Sequence, residues 1–144
     1  MTIESFMVIF ITYYCLNGNI EHATMLHTFS MNPKTIIVFG AHPDDIEFGC
    51  GGSLIQYGRK GHAVFLHILT EGESGGIGSV RRTEQLNASK ILRAKEVFFS
   101  NYRDTQIPVD KILISKIEDT LCSVKPELIF VNYPDDTHQD HRNL

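Results

Sequence analysis

From residue 34 onward, short apolar runs alternate with amphipathic stretches, and that alternation leaves few folds open to the chain. Residues 35–39 (TIIVF), 63–69, 97–99 and 128–131 read as short strands, the first of them fully buried. Between them, residues 49–59 predict a helix ended by Gly61, and residues 80–94 predict a charged surface helix. Residues 70–79 hold four glycines and predict a loop. Asp110 can cap a third helix carrying Ile112, Leu113, Ile117 and Leu121, bounded by Pro126. A βαβαβαβ order implies a parallel sheet with right-handed crossovers. The expected fold class is therefore α/β, a Rossmann-like three-layer sandwich with a mostly parallel sheet. In the common doubly wound order 3-2-1-4, the first and fourth strands are neighbours at the switch point where such sheets place their ligands.

Polar clusters follow both of those strands. Ala41-His42-Pro43-Asp44-Asp45 comes after the first, and Asp135-Asp136-Thr137-His138-Gln139-Asp140-His141 comes after the fourth. The assumed strand order brings the two loops together. A histidine and an aspartate three apart in one turn can both reach a cation, and a third ligand from the other loop leaves positions for water. Pro43 stiffens the turn because its φ is fixed. Asp44 and Asp45 are consecutive, so one can hold metal while the other acts as a base towards water. Each half also has a plain explanation. Asp44 and Asp45 can cap the following helix, His138 and His141 can be surface residues, and Asp140 can orient a histidine or favour a helix N-terminus.

Taken jointly, AHPDD and HQDH resemble the PIG-L/LmbE-like zinc-dependent N-deacetylases, and the resemblance runs from about Lys34 to Leu144. Gly49-Cys-Gly-Gly-Ser, Thr70-Glu-Gly-Glu-Ser-Gly-Gly76 and Arg81-Arg-Thr-Glu84 occur in the family's order. The resemblance implies that His42, Asp45 and His141 hold zinc (Zn2+) and that Asp44 is the general base. It implies that His138 polarises the carbonyl or donates a proton, with Asp140 assisting the histidines, and that Arg81 meets substrate. The implied activity is hydrolysis of an N-acetyl group on an N-acetylglucosamine-containing glycoconjugate, with the aglycone open. The sequence reads DDIE where many members read DDE, so no catalytic role passes to Glu47, whose expected place is an acidic residue near a helix N-terminus. Family members continue well past the second motif, so residues 34–144 are expected to be the N-terminal portion of such a domain, incomplete at its C-terminus. Family likeness also allows a homo-oligomer.

Composition closes off other classes. The net charge of −4 and the absence of a basic stripe argue against nucleic acid. Cys15, Cys50 and Cys122 are odd in number and form no CxxC pair, so no disulfide framework is expected and a cytoplasmic setting is. Residues 1–33 read as an atypical N-terminal extension. Their apolar stretch at residues 6–16 is too short for a comfortable membrane span and lacks a basic leader, although an anchor remnant or an extra packed element also fits. His22, His27, His62 and His67 carry no chemical expectation, and Cys50 is expected to pack. Two competitors remain: an inactive truncated remnant, and a nucleotide- or sugar-binding α/β module. The latter is poorly served by Gly49, Gly51 and Gly52, which do not make GxGxxG.

Overall fold

The computed structural model describes residues 33–144 and, ahead of them, the backbone of three short strands, β1 (Phe6–Phe10), β2 (Tyr14–Leu16) and β3 (Asn19–Glu21). The rest of the first 32 residues lies outside the described residues, and the expectation of a separate extension over 1–33 falls there. The other elements are β4 (Thr35–Gly40), α1 (Asp45–Arg59), β5 (Ala63–Thr70), α2 (Gly78–Ile91), β6 (Ala94–Tyr102), α3 (Lys111–Val124), β7 (Leu128–Asn132) and α4 (Gln139–Asn143).

The main sheet has the order β1-β7-β4-β5-β6. β4 pairs in parallel with both β5 and β7, β5 pairs in parallel with β6, and β1 adds an antiparallel edge beside β7. Among the four parallel strands this is the expected 3-2-1-4 arrangement, so the ends of β4 and β7 lie side by side.

Strand periodicity explains the layering. Ile36, Val38, Val64, Leu66 and Ile68 point to one face and pack with Ile46, Cys50 and Leu54 of α1 and with Leu92. Ile37, Phe39, Phe65 and Ile129 point to the other face, against Ile117, Leu121 and Val124 of α3. A side chain of this kind is worth about 1.5–3 kcal/mol when fully buried, so these two cores dominate the stability of the domain.

Three elements differ from the sequence expectation in their extent, each for a local reason. α1 starts at Asp45 rather than at residue 49, because Ile46 in the added turn is fully buried and continues the apolar stripe of Cys50 and Leu54. Gly40 permits this early start, since a Cβ there would sit 2.9 Å from Ile46 Cγ1. α2 ends at Ile91 because Arg93 turns left-handed at φ 59° and Ala94 already belongs to β6. β6 runs over nine residues instead of three, pairing with β5 even at exposed Glu96 and skipping Lys95 at a bulge.

Asp110 caps α3 as expected, its Oδ1 accepting from Ile112 N at 2.9 Å and Leu113 N at 2.8 Å. Replacing it in D110A is expected to lower unfolding free energy by about 1 kcal/mol in urea titrations, while D110S keeps most of it. Equal stability of both variants with the wild type would show that the cap contributes nothing.

Candidate metal centre

At the end of β4 the chain is held before it turns. The Ala41 N–H donates to Asn132 Oδ1 at 3.2 Å, and the Ala41 carbonyl accepts from Thr70 N at 3.0 Å and Thr70 Oγ1 at 2.9 Å. The next residue that departs from ordinary geometry is Asp44, with φ 95° and ψ −29°. A non-glycine residue in that region costs about 1–3 kcal/mol and persists only where its surroundings enforce it. The sharp turn sends Asp45 inward as the first residue of α1 and leaves Asp44 at the surface.

Asp45 is the hub of the site. It is buried, its Oδ2 accepts the His42 N–H at 2.9 Å, and the same oxygen lies 3.4 Å from His42 Nδ1 and 3.2 Å from His141 Nε2. His141 comes from α4, at the end of the loop that follows β7, so two loops converge on one carboxylate. The outer nitrogens of both rings face further carboxylates. His42 Nε2 lies 3.0 Å from Asp104 Oδ1 and 3.2 Å from Asp140 Oδ2. His141 Nδ1 lies 3.2 Å from Asp136 Oδ2, within ion-pair distance though off the hydrogen-bond direction. Carboxylates placed behind an imidazole draw its proton outward and leave the inner nitrogen's lone pair free. One ring nitrogen each from His42, His138 and His141 also lies within 4.8 Å of the others.

The electrostatics follow from this packing. Burial alone would favour the neutral form of Asp45, but hydrogen bonds from His141 and His42 outweigh it and hold the carboxyl well below the usual range. Burial likewise opposes charge on His141, yet Asp45 and Asp136 lift its pKa to about 9. His42 is raised too, its burial overcome by Asp45, Asp104 and Asp140. His138 goes the other way, lowered first by burial and then by its two histidine neighbours.

The buried Asp45 carboxylate thus favours positive charge on the groups around it. Two imidazoles and a carboxylate form a nitrogen–oxygen donor set suited to zinc. His42, Asp104 and Asp140 also cluster, but Asp140 already accepts from Thr105 N and Ile107 N, and Asp104 Oδ2 from Ser74 N. Those two carboxylates are committed to backbone donors and serve better as supports for His42.

Asp44 faces a different neighbour. Its side chain makes no capping hydrogen bond, and its Oδ2 accepts from the Arg81 guanidinium at 3.2 Å. The same guanidinium nitrogen donates to the Pro43 carbonyl at 2.6 Å. Burial raises the Asp44 pKa, and Arg81 offsets part of that rise. Arg81 lies across the glycine loop, where Gly72 has φ 64° and a Cβ would overlap Arg81 Nε. A small cleft of about 130 Å³ opens beside it, with Pro43, Asp44, Glu47, Arg81 and Gln85 among its lining residues.

Every residue singled out in the sequence therefore lies in one neighbourhood: His42, Asp45, His138, Asp140 and His141 around the hub, Asp44 and Arg81 on its open side. Sequence reasoning missed Asp104, Asn132 and Gln85 and gave Asp136 no role. Only Gln85 left a signal, standing one helical turn after Arg81 on the same face of α2. His67 lies apart, bonded to Ser100 Oγ at 2.7 Å and Thr120 Oγ1 at 3.1 Å on the α3 side. Cys50 is a buried packing residue whose thiol is pushed up to about 12 by burial and Glu47. No helix among the described residues is long and apolar enough to cross a membrane.

Comparison with known proteins agrees with this geometry. A family model described as PIG-L, GlcNAc-PI de-N-acetylase, matches residues 37–144. The chain is 36% identical over 115 residues to the uncharacterized deacetylase YaiS of Escherichia coli K12, covering 75% of this chain and 62% of that protein. Its fold matches the N,N'-diacetylchitobiose deacetylase of Pyrococcus horikoshii with a TM-score of 0.72 at 26% identity, covering 80% of this chain and 49% of that one. It also matches GalB, the 4-carboxy-2-hydroxymuconate hydratase of Pseudomonas putida, with a TM-score of 0.66 at 27% identity, covering 75% and 51%. The chain thus spans 62% of the first relative and about half of the other two.

The raised imidazole pKa values set a pH dependence for the metal-free chain. His141, lifted from 6.5 to about 9, contributes stability that is fully present below pH 6.5 and lost as pH rises through 9. His42 acts in the same direction. With chelator present, the melting temperature is expected to fall between pH 6.5 and 9, and zinc added at pH 8 should restore it. A flat melting profile, or one indifferent to zinc, would contradict this arrangement.

Proposed function

The chain belongs to the PIG-L de-N-acetylase family, and from that membership we propose that it acts as a zinc-dependent hydrolase removing the N-acetyl group from an N-acetylglucosamine-containing glycoconjugate. The observation that carries the proposal is the single Asp45 oxygen approached by His42 from one loop and His141 from another, with Asp44 beside it. His42, Asp45 and His141 would hold the ion. Zinc supplies a Lewis acid that polarises a carbonyl and makes water more acidic.

The chain's own residues supply the rest of the chemistry. Asp44 is the carboxylate next to the hub but outside it, and it accepts the proton of the attacking water. Its neighbour Arg81 orients it and places positive charge at the open side. His138 Nδ1 accepts from the Asp140 N–H at 3.2 Å, so the neutral ring carries its proton on Nε2. A neutral imidazole with a lowered pKa can donate a hydrogen bond to the developing oxyanion without becoming charged. Asp140 orients this pair, touching His42 through its carboxylate and His138 through its backbone. Water oxygen bonds to the acetyl carbon, the C–N bond breaks, and the amine leaves with the proton.

The diacetylchitobiose deacetylase relative supports an N-acetylated sugar as the substrate class, and Arg81 at the cleft suits a polar aglycone. The hydratase relative supports a second reading, addition of water to an activated double bond by the same residues. Assays decide between them. The purified chain, loaded with zinc, is expected to release acetate and a free amine from N-acetylglucosamine conjugates, and chelator should abolish this. Release of neither product, with hydration of a 2-hydroxymuconate, would favour the second reading.

Two substitutions separate base from ligand. D44N preserves a side chain tolerated in the left-handed turn, and it is expected to lower kcat by about 10²–10⁴ with zinc content unchanged. H141A is expected to lose zinc together with activity. Zinc loss on D44N would overturn the assignment of Asp44.

A further inference from the structure

Asp44 is strained, and something must hold it there. Its carbonyl accepts the Phe48 N–H at 3.0 Å as α1 begins, and its carboxylate meets Arg81. Its N–H stands at the start of the helix, where no intrahelical acceptor exists. That N–H donates to Gln85 Oε1 at 3.2 Å. Gln85 is 2% exposed, so its amide sits out of water and needs partners on both sides. The second partner is Glu47, whose Oε1 accepts from Gln85 Nε2 at 2.8 Å.

The direction of this chain of bonds is forced. A backbone N–H only donates, so Gln85 must present its oxygen to Asp44 and its NH2 to Glu47. Glu47 stands one turn along α1 from Asp44, so a single side chain from α2 ties together two points of the first turn of α1. Gln85 and Arg81 are four apart on α2 and reach the same dipeptide, Gln85 at Asp44 N and Arg81 at Pro43 O and Asp44 Oδ2. One bond fixes the backbone, the other the carboxylate.

We propose that Gln85, oriented by Glu47, is a positioning residue that pins the left-handed backbone of Asp44 and thereby aims its carboxylate at the reacting centre. The proposal rests on the deacetylase reading for its kinetic consequence, but the grip on the Asp44 amide stands on geometry alone. Glu47 gains a function here that helix-terminal electrostatics do not provide, since a dipole effect requires no particular partner on α2. Loss of the grip leaves Asp44 present, ionisable and close to Arg81, yet free to relax from φ 95° towards an ordinary conformation. A general base displaced by about 1 Å can lose on the order of 10²-fold in rate.

The test uses Q85M, which keeps length and apolar bulk but offers neither donor nor acceptor, and reads two independent quantities. Amide hydrogen exchange resolved by NMR is expected to show the Asp44 N–H protected in the wild type and at least about tenfold faster in Q85M, with β4 and β5 amides unchanged. With a conjugate that the wild type deacetylates, Q85M is expected to lose about 10–100-fold in kcat at nearly constant KM and zinc content. In the D44N background, adding Q85M should cost less than about twofold, because the residue acts through the Asp44 carboxylate. Unchanged Asp44 exchange in Q85M overturns the proposal, as does an equal loss of kcat in both backgrounds, which would mean general loosening of the fold. If the wild type deacetylates nothing while Asp44 protection still depends on Gln85, the deacetylase reading fails and the pinning role survives. E47M tests the upstream step: it should accelerate exchange at Asp44 in the same direction as Q85M, and no acceleration would remove Glu47 from the account.

Discussion

A buried carboxylate between two imidazoles is the interaction on which the site depends. Asp45 is 3% exposed, and an ionised carboxylate at that depth is tenable only with charge or hydrogen bonds around it. His42 and His141 provide both, and they come from opposite ends of the described sequence. The sheet order makes this possible, since only adjacency of β4 and β7 brings their trailing loops within reach. The hub in turn requires outer carboxylates, because each imidazole must have its far nitrogen occupied. Asp104 and Asp140 stand at His42 Nε2 and Asp136 stands within ion-pair distance of His141 Nδ1, so the site is a layered charge arrangement rather than three isolated side chains.

Much of this was legible in the sequence, for identifiable reasons. Four apolar runs separated by helical stretches permit few topologies, and the handedness rule for parallel crossovers reduces them further. The meeting of AHPDD with HQDH followed from that topology before any residue was placed. The sequence places the start of α1 four residues late because the HPDD turn reads as a loop, whereas buried Ile46, one turn ahead of Cys50 and Leu54, extends the apolar stripe back to the first turn. Asp104 was invisible for a different reason. It lies just past β6, whose exposed charges conceal a nine-residue strand, and nothing in its local pattern ties it to His42 62 residues earlier. The glycine-rich stretch over residues 70–79 reads in the sequence as a loop and no more. Its geometry shows more, a backbone kept bare so that the Arg81 side chain can lie against it.

Two adjacent aspartates differ in surroundings because one backbone angle separates them. Asp45 enters the helix and turns inward, while Asp44 occupies the left-handed turn and faces the cleft. Had both been helical, their carboxylates would project about 100° apart on a regular helix and neither would need support from α2. The strained turn allows one to be buried among histidines and the other to remain half exposed beside Arg81. Functional strain of this kind demands enforcement, and the enforcing groups are polar: an arginine on the Pro43 carbonyl and a glutamine on the Asp44 amide.

That division also explains why the glycine loop, α2 and the first turn of α1 belong to one functional unit although no single motif spans them. Arg81 can reach Asp44 only by lying across Gly72 and Gly75, and a side chain at either position would occupy its space. Gln85 reaches Asp44 from α2, and Leu92, just past the end of that helix, belongs to the same core cluster as Ile46, Cys50 and Leu54 of α1. Arg81 and Gln85 project from α2 beside this shared core, and the two hold the carboxylate and the backbone of Asp44. The surroundings of Asp44 are thus assembled from a bare glycine loop, a helix anchored in the core and two polar side chains.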